Sequence, residues 1–376
     1  MTQLTNEDLE LLRDTANRFF SEKLPTNSLR QLRDDRDKIG FDRSLWQEMA
    51  EMGWTGILLD EPQGGLDFGY EALGMILEQS GKTLAASPLV STVLLGAQLV
   101  AKAGNSTQRE QILAGVIKGE LILALAHEES ARHDPSSINT RAVKDGDNYI
   151  LNGRKIFVLD GHIADRLVVV ARTHGNRQDR NGVSLFIVDA NSTGINRTRT
   201  IMVDGRNTAN IELVDVKAAS LGAVGSAFGI LETVLDGACA AIAAEMLGTG
   251  EEAFDRTIEY LKVREQFGAK LATFQALKHR AAEMYCEIEL TRSAVYGALV
   301  ALDGQDPESP QLCSIAKAKA CEMLELVSNE ALQMHGGIGM TDASDIGLFL
   351  KRARVAQQIL GDMLYHRERF ANLVGL

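Results

Sequence analysis

Apolar positions recur every three to four residues through LTNEDLELLRDTANRFF, SLWQEMAEMGW and YEALGMILEQSGKTLAA, which predicts amphipathic helices in the first part of the chain. Thr5 precedes the first of them as an N-cap, with acidic residues in the opening turn. Between the later two lies DEPQGGLDFG, a loop punctuated by Pro62 and Gly64–Gly65. The period then changes. LILALAH, YILNGRKIFVL, RLVVVART, VSLFIVD and NIELVDV are short runs rich in Val and Ile, and they predict strands. KDGDN, Lys144 to Asn148, is a hairpin turn signal. These strands predict an antiparallel barrel or sandwich. Long helical stretches return over Phe228 to Arg264, Phe274 to Leu302 and Gln311 to Met334, with Asp303, Gly304, Pro307 and Pro310 marking a connection. Long helices on short loops favour an antiparallel bundle. The expected domains are a helical one over residues 1–120, a central β domain over 121–222 and a helical bundle over 223–376, an α+β chain that is mainly α.

A length of 376 residues accommodates two or three domains. The formal charge of −12, from 39 basic against 51 acidic residues, argues against a nucleic-acid binder, which needs basic faces for phosphates. None of Cys239, Cys286, Cys313 and Cys321 falls in a CxxC pair. No zinc or dithiol motif is present, no metal is expected, and the thiols are expected buried and reduced. The N-terminus MTQLTNEDLELL is acidic and amphipathic, unlike a signal peptide, and no apolar run reaches membrane-spanning length. A soluble, cytoplasmic protein is the expectation.

Two stretches carry recognisable chemistry. REQFGAKLATFQALKHRAAEM, Arg264 to Met284, places an Arg, a Phe and Gln275 in a short segment. Gln333-Met334-His335-Gly336-Gly337-Ile338-Gly339 is a side-chain-poor loop. A diphosphate suits both: a planar guanidinium binds it in charge-assisted fashion, and backbone N–H groups reach it where no Cβ intervenes. No β-rich run precedes the glycines, so this is not a Rossmann fingerprint. Two further stretches are ALAHEESARHDPSSINTRA, Ala124 to Ala142, and NGRKIFVLDG, Asn152 to Gly161.

Together these motifs and the α–β–α order resemble the acyl-CoA dehydrogenase family across nearly the whole chain. The ending KRARVAQQILGDMLYHRERFA is similar to a branch of bacterial heteromeric members that serve steroid side-chain or dicarboxylate breakdown. The resemblance implies an N-terminal α domain, a barrel-like β domain and a C-terminal four-helix bundle. It implies FAD as cofactor, with Arg264, Phe267, Gln275, Gln333, Gly336 and Gly337 reaching the flavin dinucleotide of a neighbouring subunit. It places Phe157 beside the isoalloxazine, His127 near the cofactor and His133 near the substrate thioester. Leu159 stands where the family's Thr bonds flavin N5. Plainer roles stay open: Phe157 as a β-core residue, the histidines as half-exposed polar residues, Glu128 and Asp134 as turn caps. The implied partners are an acyl-CoA substrate, an electron-transferring flavoprotein, and further subunits in a homotetramer or a heterotetramer with a second chain of this kind.

The implied reaction removes a proton α to the thioester, and a base must take it. The family's two customary base positions hold Leu360 and Ala238 here, and Cys239 replaces the Arg beside the second. From Ala331 to Arg367 the only carboxylates are Asp342, Asp345 and Asp362. Three possibilities follow. Asp362 acts as base, two residues beyond the usual position. Glu245 or Asp236 acts from the first bundle helix. Or the chain is the non-catalytic half of a heteromer. A flavin-dependent oxidase or monooxygenase on the same fold is a further alternative. Lys351, Arg352 and Arg354 are expected to form a solvated helix face, with a role in the CoA or subunit interface as the alternative.

Overall fold

The structure is a computed structural model that describes residues 4–376; the first three residues of the N-terminal stretch lie outside the described residues. Along the chain run α1 (Asn6–Lys23), α2 (Thr26–Asp34), α3 (Arg43–Glu51), α4 (Gly69–Thr83), α5 (Gln98–Ala103) and α6 (Ser106–Ile117). Strands follow: β1 (Leu123–Ala126), β2 (Arg141–Asp145), β3 (Asn148–Leu159), β4 (Arg166–Arg172), β5 (Val183–Asp189), β6 (Ile195–Ile201) and β7 (Asn207–Leu221). Then come α7 (Phe228–Val263), the short pair β8 (Glu265–Gln266) and β9 (Ala269–Lys270), α8 (Gln275–Asp303), α9 (Ser309–His335), α10 (Ile346–Gln358) and α11 (Met363–Val374). No helix among the described residues is long and apolar enough to cross a membrane.

The chain divides into two compact units. One comprises residues 36–69 and 86–238 and contains the sheet. The order β4–β2–β3–β7–β5, with β5 returning to β4, closes five strands into a ring; β1 extends from β4, and β6 lies on β7. The barrel is not wholly antiparallel as expected, because β1 and β2 both pair with β4 in parallel. The predicted hairpin is present: β2 meets β3 at Asp145–Asn148, and Gly146 takes the left-handed φ of +58° that the two-residue turn requires. Inward residues such as Leu151, Leu167, Phe186, Ile211 and Val216 fill the barrel. Outside it, Leu89–Ala97 forms a buried π-helical stretch that apolar periodicity did not foretell.

The other unit comprises residues 4–35, 70–85 and 239–376, so the N-terminal helices α1, α2 and α4 belong with the bundle α7–α11. Thr5 caps α1 as expected, in a reciprocal pair with Asp8. The Ala-rich part of α7 is buried on every face, as an all-round apolar helix must be. Small residues let α4 and α7 cross closely. A Cβ at Gly81 would sit 2.1 Å from the Glu245 carbonyl oxygen, and one at Gly248 would sit 1.8 Å from that of Glu78. Three cysteines are buried, but Cys286 is exposed, contrary to expectation, because its position on α8 faces away from the bundle core.

Candidate active site

In the bundle unit, α7 runs out into the β8–β9 hairpin, which carries Arg264 just before it and Phe267 at its tip. Phe267 is 88 % exposed with φ +56°, and Arg264 is exposed too. Among the described residues the Arg264 guanidinium has neither hydrogen-bond nor ion-pair partner. Gln275 opens α8, also exposed. The second motif ends α9: Gln333 is exposed on its last turn, and Gly336 turns the chain out with φ +63°. A Cβ at Gly336 or Gly337 would meet nothing within 4 Å, so both amides stand in open space.

One contact joins the two motifs. The Tyr260 ring, one turn before Arg264, stacks on His335 with centroids 4.4 Å apart and planes 20° from parallel. Its hydroxyl donates to the His335 carbonyl at 3.3 Å. Burial depresses the basicity of His335, and the Ala331 carbonyl bond at 2.7 Å opposes that depression. Beyond the glycines the chain is anchored again. Asp342 is paired with Arg30 and Arg33, and Asp345 with Arg30 and Arg256, all at 2.7–2.8 Å. The glycine loop is thus fixed on both sides, and neither aspartate is uncommitted.

The turn between α10 and α11 holds the first customary base position. Leu360 is buried there with φ +57°. Its carbonyl accepts from His366 Nε2 at 2.9 Å and from Cys239 Sγ at 3.7 Å. Lys317, fully buried, donates to the Gly361 carbonyl at 2.8 Å and to that of Gln357 at 3.3 Å. Asp362 is the N-cap of α11, its Oδ1 accepting the Tyr365 amide at 2.8 Å. Glu245 is buried and bonded to Arg352, which has no exposure and also donates to the Leu84 carbonyl at 3.2 Å. The expectation of a solvated basic face on α10 therefore fails at Arg352. Helical periodicity turns that one position of the run inward, and Glu245 compensates its charge. Asp236 and Ala238, on the first turns of α7, are buried.

In the barrel unit, the register of β3 against β7 slips between Lys155 and Val158, and Phe157 occupies the bulge with φ +50°. Its ring is 47 % exposed, so it is displayed outward and is not a core residue. The 127–140 segment is pinned to β3. Buried Lys155 donates to Glu129 at 2.7 Å and to the His127 carbonyl at 3.1 Å; Ile156 N–H donates to the Glu128 carbonyl at 2.9 Å. Glu129 also accepts from the Asn139 and Thr140 amides. His127 and His133 both turn onto the Glu128 carboxylate. Burial pushes that carboxyl up, but the two histidines turned onto it, His127 and His133, outweigh burial and hold it well below the usual carboxylate range. Asp134 does cap a turn, accepting from Ser136 N–H and Oγ.

Family models for the acyl-CoA dehydrogenase N-terminal, middle and C-terminal domains match residues 6–120, 124–216 and 228–374. The short-chain specific acyl-CoA dehydrogenase of Megasphaera elsdenii is 33 % identical over 337 residues, covering 86 % of this chain and 88 % of that one. The CarC subunit of the caffeyl-CoA reductase–Etf complex of Acetobacterium woodii is 30 % identical over 343 residues, 89 % of each. Among solved structures, the Tcur3481-Tcur3483 steroid ACAD superposes with a TM-score of 0.88 at 32 % identity, over 98 % of each chain. Three domain matches that tile the chain, with full-length likeness in sequence and structure, show that this protein belongs to the acyl-CoA dehydrogenase family, a family of enzymes.

Proposed function

We propose that the protein takes part in α,β-dehydrogenation of an acyl-CoA thioester in the cytoplasm, with electrons passed to an electron-transferring flavoprotein. The observation that carries this reading is the juxtaposition, through Tyr260 and His335, of an uncommitted exposed guanidinium with an unobstructed glycine backbone. FAD fits this arrangement: Arg264 and the Gly336–Gly337 amides suit its diphosphate, and the exposed Phe267 ring suits its flat apolar faces. Bound there, FAD would supply the two-electron acceptor for the β-carbon. The exposure of Arg264, Phe267, Phe274, Ile338 and Met340 argues that a neighbouring subunit completes the grip, within a tetramer. The name of the Acetobacterium relative, a subunit of a reductase–Etf complex, supports the electron route. Domain limits of 1–120, 121–222 and 223–376 are part of the same reading.

A second feature narrows it. Both customary base positions are apolar and buried, as Ala238 and Leu360. Asp342 and Asp345 are spent on arginines, Glu245 on Arg352, Asp362 on the α11 cap, and Asp236 is buried and already engaged with a partner. The proton acceptor therefore comes from an unlike acyl-CoA dehydrogenase-like chain, with which this one forms a heterotetramer. This chain's residues bind and orient, and the partner's carboxylate takes the α-proton. The test is to purify the chain alone and co-expressed with such a relative from the same organism. The paired sample should hold FAD and reduce electron-transferring flavoprotein with acyl-CoA, and the lone chain should not. A lone chain with full dehydrogenase activity overturns the heteromeric reading. Peroxide production without an acceptor would assign an oxidase instead.

A further inference from the structure

We propose that His127, Glu128 and His133 form a binding site for one divalent transition ion of the zinc class, on the segment that links β1 to β2. Three observations carry it, and none depends on the flavin reading. First, one donor atom from each residue lies within 4.8 Å of the other two: two imidazole nitrogens and one carboxylate oxygen. A zinc ion with bonds of about 2.0–2.1 Å holds its donors roughly 3–3.5 Å apart, so small side-chain rotations suffice. Second, His127 is buried, and its Nε2 lies 3.0 Å from Glu128 Oε1 without making a hydrogen bond to any group. An imidazole nitrogen beside a carboxylate oxygen but out of line with it is the relation two ligands of one ion adopt. Third, the backbone beneath the donors is already rigid. Lys155 holds the His127 carbonyl, Ile156 holds the Glu128 carbonyl, and the two histidine rings meet edge-on with centroids 5.9 Å apart.

The donor set decides the class of ion. Two nitrogens and one oxygen suit zinc, cobalt, nickel or ferrous iron over calcium or magnesium, which want oxygen ligands. The carboxylate and two neutral rings leave a fourth position for water. The charge of Lys155 is matched by Glu129, so it does not cancel the attraction of Glu128. His127 and His133 are separated by a loop with no recurrent metal spacing, so the sequence alone does not announce the site.

The test uses the full chain in whatever assembly it purifies, stripped with chelator and dialysed against Zn2+ or Co2+. The expected result is one ion per chain, with a Co2+ spectrum of four- or five-coordinate type. His127→Gln and Glu128→Gln should each weaken uptake by about 100-fold or more, with unchanged circular dichroism. His133→Cys should retain uptake and add a sulfur-to-cobalt charge-transfer band, a positive signal that a misfolded variant cannot give. Uptake below stoichiometry, or equal uptake by wild type and His127→Gln, overturns the proposal and leaves an imidazole–carboxylate ion-pair cluster. Flavin content is read in the same samples, so this outcome is separate from any failure of the flavin reading.

Discussion

Arg352 and Glu245 form an ion pair sealed inside the helical bundle, Nη1 to Oε1 at 3.1 Å, with side-chain exposures of 0 % and 5 %. The pair joins α10 to the middle of α7 and removes Glu245 from the list of available bases. Taking one partner away leaves the other charged in a dry interior. Arg352→Met should cost about 3–5 kcal/mol of stability, whereas Arg352→Met with Glu245→Leu should recover most of it. Urea unfolding of the two variants checks this. A single variant as stable as wild type would show that Glu245 finds another partner.

Tyr260 is the mechanical link between the Arg264 and Gly336–Gly337 motifs, since its ring stacks on His335 and its hydroxyl holds that residue's carbonyl. Tyr260→Leu should keep the fold but lower the flavin-to-protein ratio at dilute FAD. Tyr260→Phe, which keeps the stack and loses one hydrogen bond, should fall between. Equal occupancy in all three proteins would detach Tyr260 from cofactor binding.

Asp362 is placed as a helix cap. Asn caps almost as well as Asp, and Ala costs about 1 kcal/mol at such a position. Asp362→Asn should therefore match wild type in thermal stability and in flavin bleaching by acyl-CoA, and Asp362→Ala should lose stability alone. Loss of bleaching in the Asn variant, with FAD retained, would make Asp362 the base after all.

Asp160 predicts a pH dependence. Burial pushes its carboxyl up to about 6, against the Ser91 hydroxyl bond at 2.6 Å and the Arg206 charge, which pull it down. The folded value lies above the unfolded 3.8, so the folded state holds the proton more tightly. This group's contribution is therefore most favourable below pH 4, declines as pH rises to about 6, and is level above that, a loss of up to about 3 kcal/mol. Asp160→Asn should raise the melting temperature at pH 8 and change it little at pH 4. Parallel melting curves across pH for the two proteins would contradict this.

Much of the architecture was legible because its signals are local. The three long bundle helices begin and end within a few residues of where Pro, Gly and apolar periodicity put them, and the Gly146 turn sits where KDGDN put it. Non-local choices were not legible. Nothing in LILALAH says that β1 pairs in parallel with β4. The half-buried strand INRTRTI shows no apolar alternation because it pairs only with β7. Buried charge was the other blind spot. Arg352, Lys155 and Lys317 look like surface residues until their carboxylate or carbonyl partners, distant in sequence, are brought to them. Phe157 had two candidate environments, and only the bulge decides between core and display.

The most direct test of the central claim is an anaerobic titration of the assembled protein with acyl-CoA, following the flavin absorbance. The account predicts a yellow protein whose absorbance bleaches on adding substrate and returns when electron-transferring flavoprotein is supplied. Replacing Arg264 by Ala should strip the colour at dilute FAD. A preparation that stays colourless in every subunit pairing, or a bound flavin that no acyl-CoA reduces, would contradict it.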